Sequence, residues 1–169
     1  MAITLYDLTV PVFLRGLGVM SAVLEKGRAY AEAAGIDPVE LVEARLAPDM
    51  LTLAGQVQRA SDTAKFTAVR IGGVENVRFA DEEKSFADLQ DRLARTRDFL
   101  ETVPRDAIDN QEGTTIQANI GRTPVSIGAV EYAQKFAVPN FYFHITTAYD
   151  ILRSRGVVLG KMDYIGALS

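Results

Sequence analysis

Four long stretches of the chain carry apolar residues at steps of three and four, the spacing that gives a helix one apolar face. The first stretch runs from the start of the chain to Gly35, a residue type that commonly ends helices. The second begins near the sequence APDML and ends before Gly72. The third follows Ser85, a suitable N-cap, and keeps the heptad-type spacing of packed helices. The fourth spans residues 139–155.

Residues near the start of the chain suggest where helices begin. Thr4 and Asp7 have the spacing of a capping box and are predicted to cap the first long helix. Pro11 then either bends that helix or marks its true first turn. The sequence DPVELVEARL predicts a further short helix, with Asp37 as its N-cap and Glu40 completing a capping box.

The hydrophobic pattern changes between the third and fourth long helices. In TIQANIGRTPVSI, apolar residues alternate with polar ones on both sides of a Gly-Arg-Thr-Pro turn: Ile116, Ala118, Ile120, Val125 and Ile127. A period of two around a turn predicts a small β-hairpin.

These elements together predict an all-α fold, a four-helix bundle with a long crossover that carries the hairpin. The chain has 169 residues, and this length favours one domain that spans 1–169. It is 48% hydrophobic and 24% charged, which is ordinary for a globular domain. The sequence contains no cysteine, so disulfides, thiolate metal sites and a cysteine nucleophile are excluded.

Charge and hydropathy narrow the possible partners and compartment. The net charge is −4, and no dense basic run offers a binding surface for a phosphate backbone, so we expect no nucleic-acid partner. No apolar run approaches the roughly 20 residues that cross a bilayer, and the first residues lack the features of a secretory signal. We therefore expect a cytoplasmic protein with no membrane partner.

His144 is the single histidine of the chain and the first candidate for chemistry. On a helix with about 100° per residue, Ala148 falls about 40° and Ile151 about 20° from it, so the ring should point inward. An inward imidazole can hydrogen-bond to a group on another helix, ligate a metal, or act as an acid or base. Neither His-x-x-x-His nor Glu-x-x-His, two common ligand spacings, is present.

Two charged residues are further candidates. Asp49 follows a proline at the predicted start of the second long helix. There its carboxylate either is stabilised by the helix dipole or lies near a cavity mouth, paired with His144. Arg155 lies under the same helix face as His144 but at the helix end. There it can satisfy carbonyls or bind an anionic ligand.

The sequences LYDLTVPVFLRGL and PNFYFHITTAYDILRSRGVVLGKMDYIG resemble a bacterial family known as domain of unknown function 1993, in the DinB/YfiT-like superfamily. The resemblance covers nearly the whole chain. It implies an up-down-down-up bundle with a long crossover, often found as a dimer. Characterised members of the superfamily bind a divalent metal through three histidines, and some are thiol-dependent transferases or isomerases.

This sequence departs from that metal-binding pattern. His144 matches one histidine of the last helix, but Ala148 stands four residues later, and the second long helix offers Asp49 and Gln56 without a histidine. We therefore predict no metal, no cofactor and no catalytic residue. The predicted ligand-binding residues are His144, Asp49, Gln56 and Arg155.

Three functional classes follow from these residues. The chain is a small-molecule-binding bundle with a degenerate metal site, a structural protein that forms a homodimer, or an enzyme. The enzyme would be a transferase or isomerase, with or without a divalent metal, that uses a cavity around His144.

Overall fold

The computed structural model describes residues 2–167, so residues 1, 168 and 169 of the predicted domain lie outside the described residues. Most of the described residues are helical, and among them are one small sheet and one π-helical turn. In chain order the elements are α1 (Val10–Ala34), α2 (Pro38–Val42), α3 (Leu53–Gly72), α4 (Phe86–Glu101), α5 (Arg105–Asp109), β1 (Thr115–Ile120), β2 (Thr123–Gly128), α6 (Ala129–Tyr132), the π turn (Ala133–Ala137), α7 (Val138–Ser154) and α8 (Lys161–Ile165).

The predicted helices match the four longest elements, α1, α3, α4 and α7, which pack around a shared apolar core. Helices α3 and α7 run in opposite directions, because Gln56 contacts His144 while Thr63, further along α3, contacts Asn140, earlier on α7. None of the helices within residues 2–167 is both long and apolar enough to span a membrane.

Helices α3 and α4 run in the same direction. Gln58, near the start of α3, donates a hydrogen bond to Glu83 just before α4, and Asp62 pairs with Arg92 further along both helices. Residues 73–85 must therefore return along most of the length of α3 before α4 begins. This segment is the crossover, and it contains no strand, so the prediction that the crossover carries the hairpin is wrong.

The crossover is fixed to the helices by buried charge. The guanidinium of Arg92 is 1% exposed and lies 2.8–3.0 Å from oxygens of Asp62, Asp81 and Glu83. Burial opposes the charge of Arg92, but hydrogen bonding to Glu83 and the nearby carboxylates outweigh it and raise the pKa of Arg92. Lys65, also buried, pairs with Asp62 at 3.4 Å. Polar contacts, which a hydrophobic pattern does not reveal, thus hold this segment.

The predicted hairpin is confirmed, and it lies in the connection between α4 and α7. Strands β1 and β2 are antiparallel, with Ile116 opposite Ile127 and Ala118 opposite Val125. Ile116 is buried, whereas the apolar residues nearer the turn are partly exposed. The hairpin therefore anchors at its base and projects from the helices.

The first long helix begins later than its predicted cap. Thr4 and Asp7 do bond to each other, with the Asp7 amide 3.3 Å from Thr4 Oγ1, but they close a separate turn. Helix α1 starts at Val10 with Pro11 in its first turn, where a missing amide hydrogen has no effect. The prediction that Thr4 and Asp7 cap the long helix is wrong, and Pro11 marks the first turn.

The short helix α2 is only partly as predicted. The Asp37 side chain accepts a hydrogen bond from the Val39 amide and caps it. The helix stops at Val42, and Glu40 forms no capping box.

Candidate functional site

His144 lies in the middle of α7 with its ring turned toward the other helices. It is 8% exposed, and the residues predicted to share its face, Ala148 and Ile151, are buried as well. Phe141, one turn earlier, is fully buried against α1. The inward position predicted from the helical spacing is confirmed.

Gln56, on the first turns of α3, is the hydrogen-bond partner of the histidine. Its Oε1 lies 2.7 Å from Nδ1 of His144. Its Nε2 donates to the carbonyl of Leu51 at 3.3 Å, so the oxygen is the atom that faces the ring. An oxygen acceptor requires a proton on Nδ1, and the neutral ring then carries a lone pair on Nε2. Within residues 2–167, no protein group hydrogen-bonds to Nε2.

The ring is held in its neutral form. Burial, and secondly the positive charge of Arg59, lower the pKa of His144 from 6.5 to about 4. A ring with this pKa is uncharged at neutral pH. It can accept a hydrogen bond at Nε2, and its low pKa makes it a weak base at neutral pH.

Apolar side chains lie beside the His144–Gln56 pair at the protein surface. Phe143 is 56% exposed, and its ring meets the imidazole edge-on with centroids 5.3 Å apart. Leu51, whose carbonyl orients Gln56, is 45% exposed. A molecule that reached Nε2 from solvent would therefore meet apolar surface next to one hydrogen-bond acceptor.

Asp49 is not in the position predicted for it. Helix α3 begins at Leu53, with Thr52 as N-cap, so Asp49 lies in the preceding loop and not in a first helical turn. The Leu53 amide donates to the Ala44 carbonyl, which fixes the later start. Asp49 is exposed and forms no ion pair or hydrogen bond with His144, so the structure does not show the predicted pairing.

Arg155 is also separated from the histidine. It lies eleven residues after His144 at the C-cap of α7, which is about 16 Å along a helix axis at about 1.5 Å per residue. Angular projection places both residues on one face but ignores this axial distance. Of the four predicted site residues, the structure brings together His144 and Gln56.

The described part of the chain holds no group of three or more His, Cys, Asp or Glu side chains arranged for a metal ion. The two side chains that meet at the site supply one ring nitrogen and one amide oxygen. A divalent ion needs several ligands in one shell, so this pair alone does not fit one.

A cavity of about 440 Å³ lies on another side of α3. Gln58 lines it, and Gln58 points about 160° away from Gln56 around the helix axis. Charged residues from the loop before α3 and from the end of the crossover also line it, among them Arg45 and Lys84. Sequence reasoning missed these residues, because only the path of the crossover brings them together.

Comparison with known proteins identifies a matching family and a similar solved structure. The family described as domain of unknown function DUF1993 matches residues 5–165. A crystal structure described as a DinB family member protein from Shewanella denitrificans is 38% identical to this chain, with a TM-score of 0.91. The match covers 97% of this chain and 93% of that chain. No curated protein matches this one.

Proposed function

Because the chain belongs to the family of domain of unknown function DUF1993, we propose that it is a DinB-like four-helix-bundle protein that binds a small molecule at His144 and Gln56. The bundle is a single domain in this proposal. The observation that carries it is the 2.7 Å contact between the two side chains, which leaves one acceptor nitrogen without a protein partner.

The physical basis is an oriented acceptor beside apolar surface. Gln56 fixes the ring, so Nε2 presents its lone pair in one direction, and burial strengthens any hydrogen bond made there. The exposed Phe143 ring lies against the imidazole and offers an apolar aromatic surface beside it. The ligand expected from this chemistry has a hydroxyl or amide donor attached to an apolar or aromatic group.

The site is a degenerate form of the superfamily metal site in this proposal. The resemblance implies three histidines in metal-binding members, whereas this chain places Gln56 and Ala148 where further ligands would be needed. The Gln56 side-chain oxygen already accepts a hydrogen bond from the imidazole of His144. The low pKa of His144 keeps this ring neutral without a metal. Elemental analysis of protein purified without metal-affinity steps should find no stoichiometric divalent ion.

The test is a thermal-shift screen of small metabolites followed by calorimetric titration. A ligand at about 100 times its Kd stabilises the folded state by about 2.7 kcal/mol, which raises the melting temperature. We expect the shift in the wild type and its loss in His144→Phe. Ser61→Ala is the matched control, because it removes a different buried hydrogen bond, to Thr96 on α4. A screen without any hit, or a hit that His144→Phe retains, contradicts the proposal.

An enzyme is the second candidate, and one observation favours it. A neutral imidazole, fixed through Nδ1 and open at Nε2, has the geometry of a general base, and its pKa of about 4 makes that base a weak one. A metabolite found in the screen that is converted to a product, with activity lost in His144→Gln, would support a metal-free enzyme. Activity that requires an added divalent ion would support the metal-dependent form instead.

Self-association belongs to the same proposal. The resemblance implies a homodimer, which sedimentation velocity measures directly. A single species at the mass of one chain, 18.4 kDa, would contradict it.

A further inference from the structure

The cavity on the other side of α3 is lined mainly by polar and charged residues. It lies between the loop before α3, the first turns of α3 and the end of the crossover. We call it the crossover cavity, and its volume is about 440 Å³. This is within the size range of small-molecule sites, roughly 300–1,000 Å³. Its lining includes Glu43, Arg45, Gln58, Glu83 and Lys84.

One of the two carboxylates in this lining is already neutralised. Glu83 receives a hydrogen bond from Gln58 at 2.8 Å through Oε2 and pairs with Arg92 at 2.8 Å through Oε1. Arg92 belongs to the partly buried cluster that fixes the crossover, where three cations, including Lys65 and Arg59, meet three carboxylates. Glu83 is therefore committed to the fold and contributes little negative potential to the cavity.

The remaining charges leave the cavity net positive. Lys84 forms no ion pair with any described residue. Arg45 donates one hydrogen bond from Nη1 to the Met50 carbonyl at 2.7 Å. Glu43 is exposed and likewise has no cation paired with it across residues 2–167. Two cations thus face one open carboxylate, in a protein whose net charge is −4.

We propose that the crossover cavity binds a small molecule through a phosphate or carboxylate group, with the anion held between Arg45 and Lys84. Arginine and lysine are the side chains that recognise these groups in proteins. Ala54, in the first turn of α3, also lines the cavity, and the amides of a first helical turn have no intrahelical acceptor. The site does not depend on His144, which faces the other side of α3.

The experiment is a nuclear magnetic resonance titration of the ¹⁵N-labelled full chain with inorganic phosphate and, separately, with succinate, at constant ionic strength. We expect saturable shifts of the amides of Ala54, Gly55 and Lys84 with at least one of the two anions. The anion that saturates identifies the group that the cavity prefers. If neither titration saturates at these amides, the proposal is wrong.

Variants separate the site from general charge. The double variant Arg45→Gln/Lys84→Gln should weaken binding at least about ten-fold, equivalent to about 1.4 kcal/mol. The control, Arg122→Gln/Lys161→Gln, changes the net charge equally at exposed positions outside the cavity and should bind as the wild type does. Equal weakening in both double variants would overturn the proposal. Lys84→Gln alone removes no side-chain hydrogen bond or ion pair of the described fold, so its unfolding free energy should match that of the wild type while its affinity for the anion falls.

Discussion

Protonation of His144 should destabilise the folded protein. The pKa of this ring is lowered from 6.5 to about 4, because burial and then the charge of Arg59 disfavour the imidazolium. A histidine with a lower pKa in the folded than in the unfolded chain binds its proton more weakly when folded. Stability is therefore full above pH 6.5 and decreases as the pH falls from 6.5 to about 4.

The magnitude follows from the shift. One pKa unit corresponds to about 1.4 kcal/mol, so the full loss is about 3 kcal/mol near pH 4 and about 2 kcal/mol at pH 5. This loss is large relative to a typical net stability of about 5–15 kcal/mol. These values are upper bounds, because the ring keeps 8% of its surface in contact with solvent.

Two measurements check this prediction. Because His144 is the single histidine, its ring proton resonances are unambiguous, and their titration in the folded protein gives the pKa directly. Urea unfolding at pH 7.5 and pH 5 should show a decrease in the wild type that is about 2 kcal/mol larger than in His144→Gln. A ring that titrates near pH 6.5 in the folded chain would refute the reasoning.

Arg59 provides a control for the second cause of the shift. Arg59→Gln removes the cation, so the pKa of His144 should rise toward its ordinary value while remaining below it, since burial is unchanged. No change in the titration of the ring would show that the charge of Arg59 does not act on it.

Three further predictions concern stability. Gly16→Ala should lower the unfolding free energy measured in urea by about 1–3 kcal/mol, because a Cβ there would lie 2.3 Å from the buried ring of Phe141. Gly18→Ala in the same helix is the control. A Cβ at that position meets no atom closer than 3.8 Å, so this variant should raise the unfolding free energy by up to about 1 kcal/mol. Equal changes in unfolding free energy for Gly16→Ala and Gly18→Ala would contradict the close contact between α1 and α7 at Phe141. Arg92→Ala should lower the unfolding free energy by about 3 kcal/mol, because three carboxylates lose their common cation, and a loss below about 1 kcal/mol would count against a structural role for this cluster. Asp49→Asn should leave both stability and metabolite binding unchanged, and a loss of binding at the His144–Gln56 pair would restore Asp49 as a site residue.

The parts of the fold that depend on local periodicity could be predicted from the sequence. Helix α4 is the best example: the Ser85 side chain accepts a hydrogen bond from the Asp88 amide, and the Asp88 carboxylate accepts one from the Ser85 amide, so the predicted cap is present. The inward direction of His144 also followed from spacing on one helix. Both depend on residues within a few turns of one another, which is the range over which a pattern carries information.

The parts that failed depend on contacts between distant segments. The start of α3 was misplaced because the Ala44 carbonyl satisfies the Leu53 amide, a contact that no helical pattern contains. The crossover was assigned to the wrong connection because Arg92 and its carboxylates hold residues 73–85 without an apolar stripe. Gln56 entered as a candidate only through the family resemblance, since its meeting with His144 requires the antiparallel packing of α3 and α7.

Helix α3 links the two proposed sites through one set of charges. On one face Gln56 orients His144, and on another Gln58 and Glu83 border the crossover cavity. Arg59 lies between these faces around the helix axis and pairs with Asp81 of the crossover at 2.6 Å, while its charge also lowers the pKa of His144. If Asp81 moved away from Arg59, more of the arginine's positive charge would act on His144. Protonation of the ring would then be less favourable, and the pKa of His144 would fall further. The crossover therefore supports the histidine site electrostatically, although it does not touch the ring through a hydrogen bond.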